Sequence, residues 1–387
     1  MVRMKKISWF SLLLSLLLPA ACVKAPPEKP PVAAPAAVPV DWSDVEGWLR
    51  DDPRPALEVF RRGCGALRWR SGWEQVCARL SELENPTEVD ARQFFRTWFQ
   101  PWRLQQEDGS ATGLLTGYYV PDLRGSRTPD ERYRYPLYAV PDDLLVIDLG
   151  DLYPELGSYR LRGRLDGRRV VPYWDRAAID AHPERLVGKE LFWVDDPVEL
   201  FFLQIQGSGR ILLPDGERVM VNYADQNGHP YRSIGKLLLE KGAMTREQMS
   251  MQNIRAWACR HPDQVAALLE ENPSYVFFRE LGPEFQSPPG ALGIPLMPER
   301  SLAVDPRFVP LGAPLFVATT WPVGDAPLWR LMVAQDTGGA IKGRVRADFF
   351  WGMGAEAGAL AGRMKQDVRL WLLLPRGVTP PSVKGEM

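Results

Sequence analysis

Residues 335–352 read QDTGGAIKGRVRADFFWG. The apolar run LWRLMVAQD ends at Asp336, and a Gly turn follows. Twelve residues on, Asp348 stands before Phe349, Phe350 and Trp351. This alternation of short apolar runs with Gly turns suggests a β-barrel rather than an alternating α/β sheet. The D-T-G triplet of Asp336, Thr337 and Gly338 also occurs around the catalytic carboxylates of aspartic proteases. Such a site needs two carboxylates sharing a proton. The chain carries one D-T-G and no D-S-G, which argues against a protease. Two readings stay open from these residues alone. Asp336 and Asp348 flank one cleft as an acid pair for sugar chemistry, or Asp336 forms a turn and Asp348 caps the helical stretch AEAGALAGRM. The aromatic run beside Asp348 favours its protonated form, while Arg344 and Arg346 favour the carboxylate.

Outward from this stretch, the last third continues in strand-like runs, APLFVATTW before it and DVRLWLLLP after it. The middle offers ATGLLTGYYVPDL and two hairpin patterns, SYRLRGRLDGRRVVPYW and RILLPDGERVMVNYADQNG, each with an Asp-Gly turn. In LQIQGSGR, Gln204, Gln206, Ser208 and Arg210 alternate as on a strand face, where amides and a guanidinium suit sugar hydroxyl and acetamido oxygens. Thr116 and Tyr118 in LTGYY add hydroxyl and ring surface, and Lys342 lies between the two acids. Gly338 and Gly339 are expected to permit unusual backbone dihedrals in the turn. Residues 53–100 repeat apolar positions at three and four and predict helices, the last capped by Asp90. The Phe94, Phe95, Trp98 and Phe99 stripe of that helix is expected in the core.

The start of the chain has a different character. MVRMKK precedes the apolar run ISWFSLLLSLLLPAAC, the pattern of an export signal. PAAC, ending at Cys22, is similar to a bacterial lipobox, with Pro19 where Leu is usual. VKAPPEKPPVAAPAAVPV follows, whose six prolines predict an extended tether over residues 22–40. Residues 1–21 would then be a signal peptide and Cys22 the lipidation site. Val23 stands where an Asp would resemble an inner-membrane retention signal, and that likeness implies an outer-membrane anchor facing the periplasm. In an oxidising space Cys64 and Cys77, thirteen residues apart, are expected to form a disulfide, with two buried thiols as the alternative. Cys259 is expected to be a lone buried thiol. The three His have no metal-ligand spacing, so no metal site is expected. A net charge of -1 does not suggest a broad basic nucleic-acid surface, so no nucleic-acid partner is expected, though local basic stripes stay open.

Together with RSLAVDPRFVPLG at 300–312, the quoted stretch resembles the 3D domain, named for three aspartates, which fall here on Asp305, Asp336 and Asp348. LTGYYVPDL, VPYWDRAAID, FFLQIQGSGRILLPDG, NYADQNGHPYRSIG, GAMTREQMSMQNIRAW and NPSYVFF resemble the membrane-bound lytic murein transglycosylase A family. The resemblance implies a mainly β protein. A double-psi β-barrel domain would take residues 41–120 and 271–387, with the 3D motif at about 300–375. A smaller β domain would be inserted at 121–270, leaving a groove for a glycan strand.

The implied activity is a peptidoglycan lytic exotransglycosylase, a carbon-oxygen lyase without cofactor. It would cut the β-1,4 bond from N-acetylmuramic acid to N-acetylglucosamine and leave 1,6-anhydromuramic ends. Asp348 would be the acid/base, Asp336 its neighbour and Asp305 a structural acid. The alternatives are a hydrolytic muramidase using Asp336 and Asp348, and a lipoprotein that binds peptidoglycan without cutting it. Candidate partners are glycan strands, the membrane anchor, and cell-wall synthases or scaffold proteins.

Overall fold

A computed structural model describes residues 34–156, 159, 161–246 and 248–381. Six strands close into a ring in the order Lys365–Pro375, Pro314–Thr320, Pro327–Asp336, Ser301–Val304, Arg346–Met353, Gly113–Val120 and back to Lys365–Pro375. Two of these contacts are parallel, Ser301–Val304 with Pro327–Asp336 and Arg346–Met353 with Gly113–Val120. The rest are antiparallel. Closure leaves no free edge within the ring. Its strands are apolar over long runs, as in PLFVA at 314–318, because both faces are covered.

The covering comes from helices Arg54–Leu67, Glu74–Ser81 and Glu88–Trp98, as the spacing predicts. Phe60, Phe95, Phe99, Phe316 and Trp371 are fully buried and join helices and ring into one core. The last helix is capped by Thr87, whose hydroxyl accepts from the Asp90 N–H while the Asp90 side chain returns to Thr87 N. Asp90 is therefore the third residue of a capping box rather than the cap itself. A buried clamp ties this layer to the ring. Asp51 accepts from Arg300 Nη1 at 2.6 Å, Arg300 Nη2 at 3.0 Å and Leu331 N at 2.7 Å.

Phe99–Leu104 adds to the ring's outside along Lys365–Pro375, and Ala37–Pro39 pairs with it at the edge. The expected tether thus ends earlier than residue 40. Ala34 N donates to Glu107 O, and Gln105 Nε2 donates to Pro35 O. Pro39 is tolerated because it lies on an edge strand, where a missing N–H costs little. Cys22 and the rest of the signal and tether lie outside the described residues.

The middle of the chain builds a second sheet in the order Val276–Glu280, Arg218–Gln226, Ser208–Leu212, Asp122–Ser126, Glu190–Val194 and Tyr135–Tyr138. A single bridge from Ala139 to Phe278 brings its two ends together. A three-stranded sheet, Leu145–Ile147, Leu161–Asp166 and Arg169–Pro172, accompanies it. The strand Val276–Glu280 belongs to this sheet, and the chain re-enters the ring at Ser301 rather than near 271. With the helices Pro197–Gln206, Ile234–Glu240, Met251–Arg260 and Pro262–Glu270, the architecture is mixed α/β around a closed ring. No described helix is long and apolar enough to cross a membrane.

Cys64 and Cys77 are bonded, linking helix Arg54–Leu67 to helix Glu74–Ser81. Cys259, expected buried, is exposed on the outer side of helix Met251–Arg260, whose inner side is taken by Ile254, Trp257 and Ala258. Replacing both bonded cysteines with serine should lower unfolding stability by about 2 to 4 kcal/mol, through the freed loop of the unfolded chain. Denaturant unfolding of the double variant measures it, and an unchanged midpoint would count against the linkage.

Candidate active site

The two acids of the quoted stretch meet through one short strand. Ala303 pairs with Asp336 on one side and with Asp348 on the other, and Asp348 pairs in turn with Thr116. Residues in register share a face, so Asp336, Ala303, Asp348 and Thr116 form a single row across four strands. Neighbouring strands lie about 4.8 Å apart, which sets the two acid backbones about 10 Å from each other. The methyl group of Ala303 is the only side chain between them in this row. A register shift puts Asp336 there. Leu302 pairs with Ala334, and the next pair skips Gln335. Such a bulge re-aims the following side chain, and without it Gln335 would face Ala303.

Asp348 is only partly open to solvent. The Thr116 hydroxyl donates to its Oδ1 at 2.6 Å, and Arg346 Nη2 donates to Thr116 Oγ1 at 2.8 Å. Burial raises the Asp348 pKa to about 6, against the Thr116 hydrogen bond and the Arg346 charge, with the Asp336 charge adding to the rise. Asp336 is also pushed up by burial, opposed by N–H groups that bind its Oδ1, Thr337 at 2.9 Å and Ala291 at 3.0 Å. Asp305 differs. Burial works against its charge, but Arg307 and the N–H groups of Gly343 and Arg307 outweigh it and hold the carboxyl below its usual range.

One face of the ring thus carries two acids able to hold a proton, and nearby a third that stays ionised and pins the turn between them. The strain of that turn falls on Gly343, at φ 121°, and not on Gly338 or Gly339 as expected. Gly338 is needed for space instead, since a Cβ there would meet Ile341 Cγ1 at 2.7 Å.

The other expected site residues divide. Thr116 holds Asp348. Tyr118 is buried against Phe350, ring centres 5.1 Å apart. Its hydroxyl makes no aligned hydrogen bond, yet burial first, then the charges of Asp336 and Asp348, push its pKa well up. Lys342 is exposed on the turn between the acids. Gln204 and Gln206 do not share a strand face, because they lie on the helix Pro197–Gln206, about 200° apart around its axis. Asp196 caps that helix, Pro197 opens it and Gly207 ends it in the left-handed region, signals present in the sequence. Gln204 is buried and accepts from Arg176 Nη2, whereas Gln206 Oε1 accepts from Tyr119 N at 3.0 Å, where ring meets insert. Ser208 receives Asn222 Nδ2 at 2.8 Å, and Arg210 forms a two-point pair with Asp122 at 2.6 and 2.9 Å. Sequence reasoning missed Ala303 and the Ala291 N–H, which no motif marks, and treated Arg346 only as a charge.

Among the described residues no cluster of three or more His, Cys, Asp or Glu could hold a metal. A pair of carboxylates poised for proton transfer, on a ring with a β insert, suits an enzyme of glycan chemistry. Comparison with known proteins makes this specific. Residues 114–279 match the MltA specific insert domain and residues 300–374 the 3D domain. Membrane-bound lytic murein transglycosylase A of Escherichia coli K12 is 33% identical over 298 residues, covering 73% of this chain and 72% of the relative. The crystal structure of MltA from Neisseria gonorrhoeae is 40% identical, with a TM-score of 0.77 over 90% of this chain and 98% of that one. Escherichia coli MltA with bound chitohexaose is 28% identical, with a TM-score of 0.66 over 88% and 95%.

The protein is a lytic transglycosylase acting on the glycan strands of peptidoglycan. The chain belongs to the membrane-bound lytic murein transglycosylase A family, and its inserted β domain and ring form a groove.

The raised Asp348 has a stability consequence. Its native carboxyl binds a proton more tightly than the unfolded one, so its ionisation costs stability as pH rises from about 4 through about 6. Asp348→Asn removes that cost. The variant should be more stable than the parent at pH 8, on the order of 1 to 2 kcal/mol after allowance for partial exposure, with the gap closing by pH 4. Thermal unfolding at both pH values tests the sign.

Proposed function

We propose that Asp348 is the single acid/base of the reaction. The observation that carries this reading is its place in the row with Asp336, held by Thr116 and kept partly protonated by burial. A glycosidic oxygen leaves poorly until protonated. Asp348 gives it the proton as the bond from muramic C1 breaks. The C6 hydroxyl of the same sugar then attacks C1, an intramolecular step that is entropically cheap. Its proton returns to Asp348, the 1,6-anhydro ring closes, and no water enters. Arg346, acting through Thr116, stabilises the carboxylate that forms between the two transfers. Asp336 supplies nearby negative charge and steadies the 287–297 segment through Ala291. Asp305 holds the intervening turn. Ala303, with its small side chain, leaves the space between the acids for the sugar. The insert, with Gln206, Ser208 and Arg210 on the side toward the ring, forms the second wall of the groove.

The hydrolytic alternative would use Asp336 to activate water, and product mass separates the two, since anhydro ends are lighter by one water, about 18 Da. Asp348→Asn should lower anhydromuropeptide release at least 10²- to 10⁴-fold while binding to sacculi survives. Asp336→Asn should lose less. A dead Asp336→Asn beside an active Asp348→Asn would reverse the assignment. The parent rate should fall about tenfold per pH unit above about 6, as the protonated form of Asp348 is lost.

The finer localisation is part of this proposal. Cys22 carries the lipid anchor, on a tether that ends where Ala34 joins the ring's outer edge. The anchor holds the groove off the outer membrane on its periplasmic side, among the cell-wall synthases and scaffold proteins that are its candidate partners. Fatty-acid labelling in cells should be lost in Cys22→Ala, and equal labelling of parent and variant would sink the assignment.

A further inference from the structure

The insert's second sheet turns its outer face to the ring, and that face carries a polar row. Ser208, Asn222 and Arg279 are paired in register on three adjacent strands. Two contacts set this face beside the catalytic row. Asn222 Nδ2 reaches Pro289 O at 3.4 Å, and two residues further along the chain Ala291 N holds Asp336. On the next row the Arg210 and Asp122 pair packs on Gly354, immediately past the strand bearing Asp348. A methyl there would touch Asp122 Oδ2 at 3.4 Å and Arg210 Nη2 at 3.5 Å.

Within the row the hydrogen bonds are directional. Asn222 is buried, and its Nδ2 is committed to Ser208 Oγ and Pro289 O. Its Oδ1 is thereby left to Arg279, which donates from Nη2 at 3.3 Å. Arg279 is exposed and forms no ion pair among the described residues. The adjacent acid, Glu280, is engaged by Arg127 through both oxygens. Arg210, by contrast, is neutralised by Asp122. The lip of the groove therefore presents one oriented guanidinium with most of its donors unused. A guanidinium fork matches a carboxylate in two-point geometry, and sugar hydroxyls do not need its charge.

We propose that Arg279 docks a carboxylate carried by the glycan strand and so distinguishes peptidoglycan from uncharged chitin-like chains. This rests on the reading of the cleft between ring and insert as the glycan groove. The carboxylate has two sources in this polymer, the stem peptides and the lactyl group of muramic acid where the peptide has been removed.

The test is binding by Asp348→Asn with and without Arg279→Gln, to three probes: strands bearing stem peptides, strands stripped of peptides but keeping the lactyl carboxylate, and chitohexaose. A charge-assisted hydrogen-bonded pair at an exposed site should make Arg279→Gln about 5- to 30-fold weaker on the carboxylate-bearing probes, with chitohexaose changed less than about twofold. Loss on stem-bearing strands alone assigns the stem carboxylate. Loss on stripped strands alone assigns the lactyl carboxylate, which is free only there, and loss on both shows that Arg279 takes whichever carboxylate the strand presents. Equal loss on all three probes, or none on any, overturns the proposal. Failure of the catalytic reading would show separately, as anhydromuropeptide release by Asp348→Asn itself.

Discussion

The strand Ser301–Val304 is four residues long, and the site depends on how it is paired. It runs parallel to the strand ending in Asp336 and antiparallel to the strand that carries Asp348. Both acids are thus indexed to the same residue, Ala303. Side chains alternate along a strand, so a slip of one residue in either ladder would send one acid to the opposite face. The bulge at Gln335 sets the register on one side. Gln335 itself is fully buried and tied to the Ser301 hydroxyl, which fixes the residue that the bulge skips. Arg300, the residue before this strand, is gripped by Asp51 from the N-terminal layer. The helices far from the chemistry therefore contribute to the position of the strand that aligns it. Breaking a buried pair of this kind leaves an uncompensated charge, at a cost of roughly 3 to 5 kcal/mol.

Three aspartates of one motif meet three different environments. Asp305 has a guanidinium and two N–H groups, so burial does not neutralise it. Asp336 has N–H donors and a buried tyrosine, and burial prevails. Asp348 has a hydroxyl and a more distant arginine, and it is raised to about 6. Direct contact with a guanidinium separates Asp305 from the other two, whose donors, N–H groups for Asp336 and a hydroxyl for Asp348, do not outweigh burial.

The insert is held to the ring around Tyr119, by polar contacts and by Met251 packing on the ring's core. Gln206 receives the Tyr119 N–H, Arg255 bonds Glu199 and the Tyr119 hydroxyl, and Gly358 leaves room for the Tyr119 ring. Tyr119 follows Tyr118 on the strand that also carries Thr116, so the element that supports Asp348 also orients the second wall. Its two tyrosines divide the work by pointing opposite ways, one toward the acids and one toward the insert.

Much of this protein was legible in its sequence. The helical periodicity of residues 53–100, the strand runs, the Asp-Gly hairpins and the aspartate motif are local patterns. Local sterics and hydrophobic spacing decide them without knowledge of the fold. The helix Pro197–Gln206 was equally local, since Asp196, Pro197 and Gly207 mark both its ends, but the alternation in LQIQGSGR read as a strand. Other features were decided only by the tertiary structure. Ala303 carries no chemical signal, and its role exists because two ladders meet at it. The turn's strain falls on Gly343 because Asp305 captures that N–H from 38 residues away. Val38 and Pro39 read as tether until Phe99–Leu104 offers an edge to pair with. Asp336 and Asp348 were identifiable as acids from their letters. Their proton affinities were not, because a pKa depends on burial and on partners such as Thr116 and Ala291, 232 and 45 residues distant, which only the folded chain brings near.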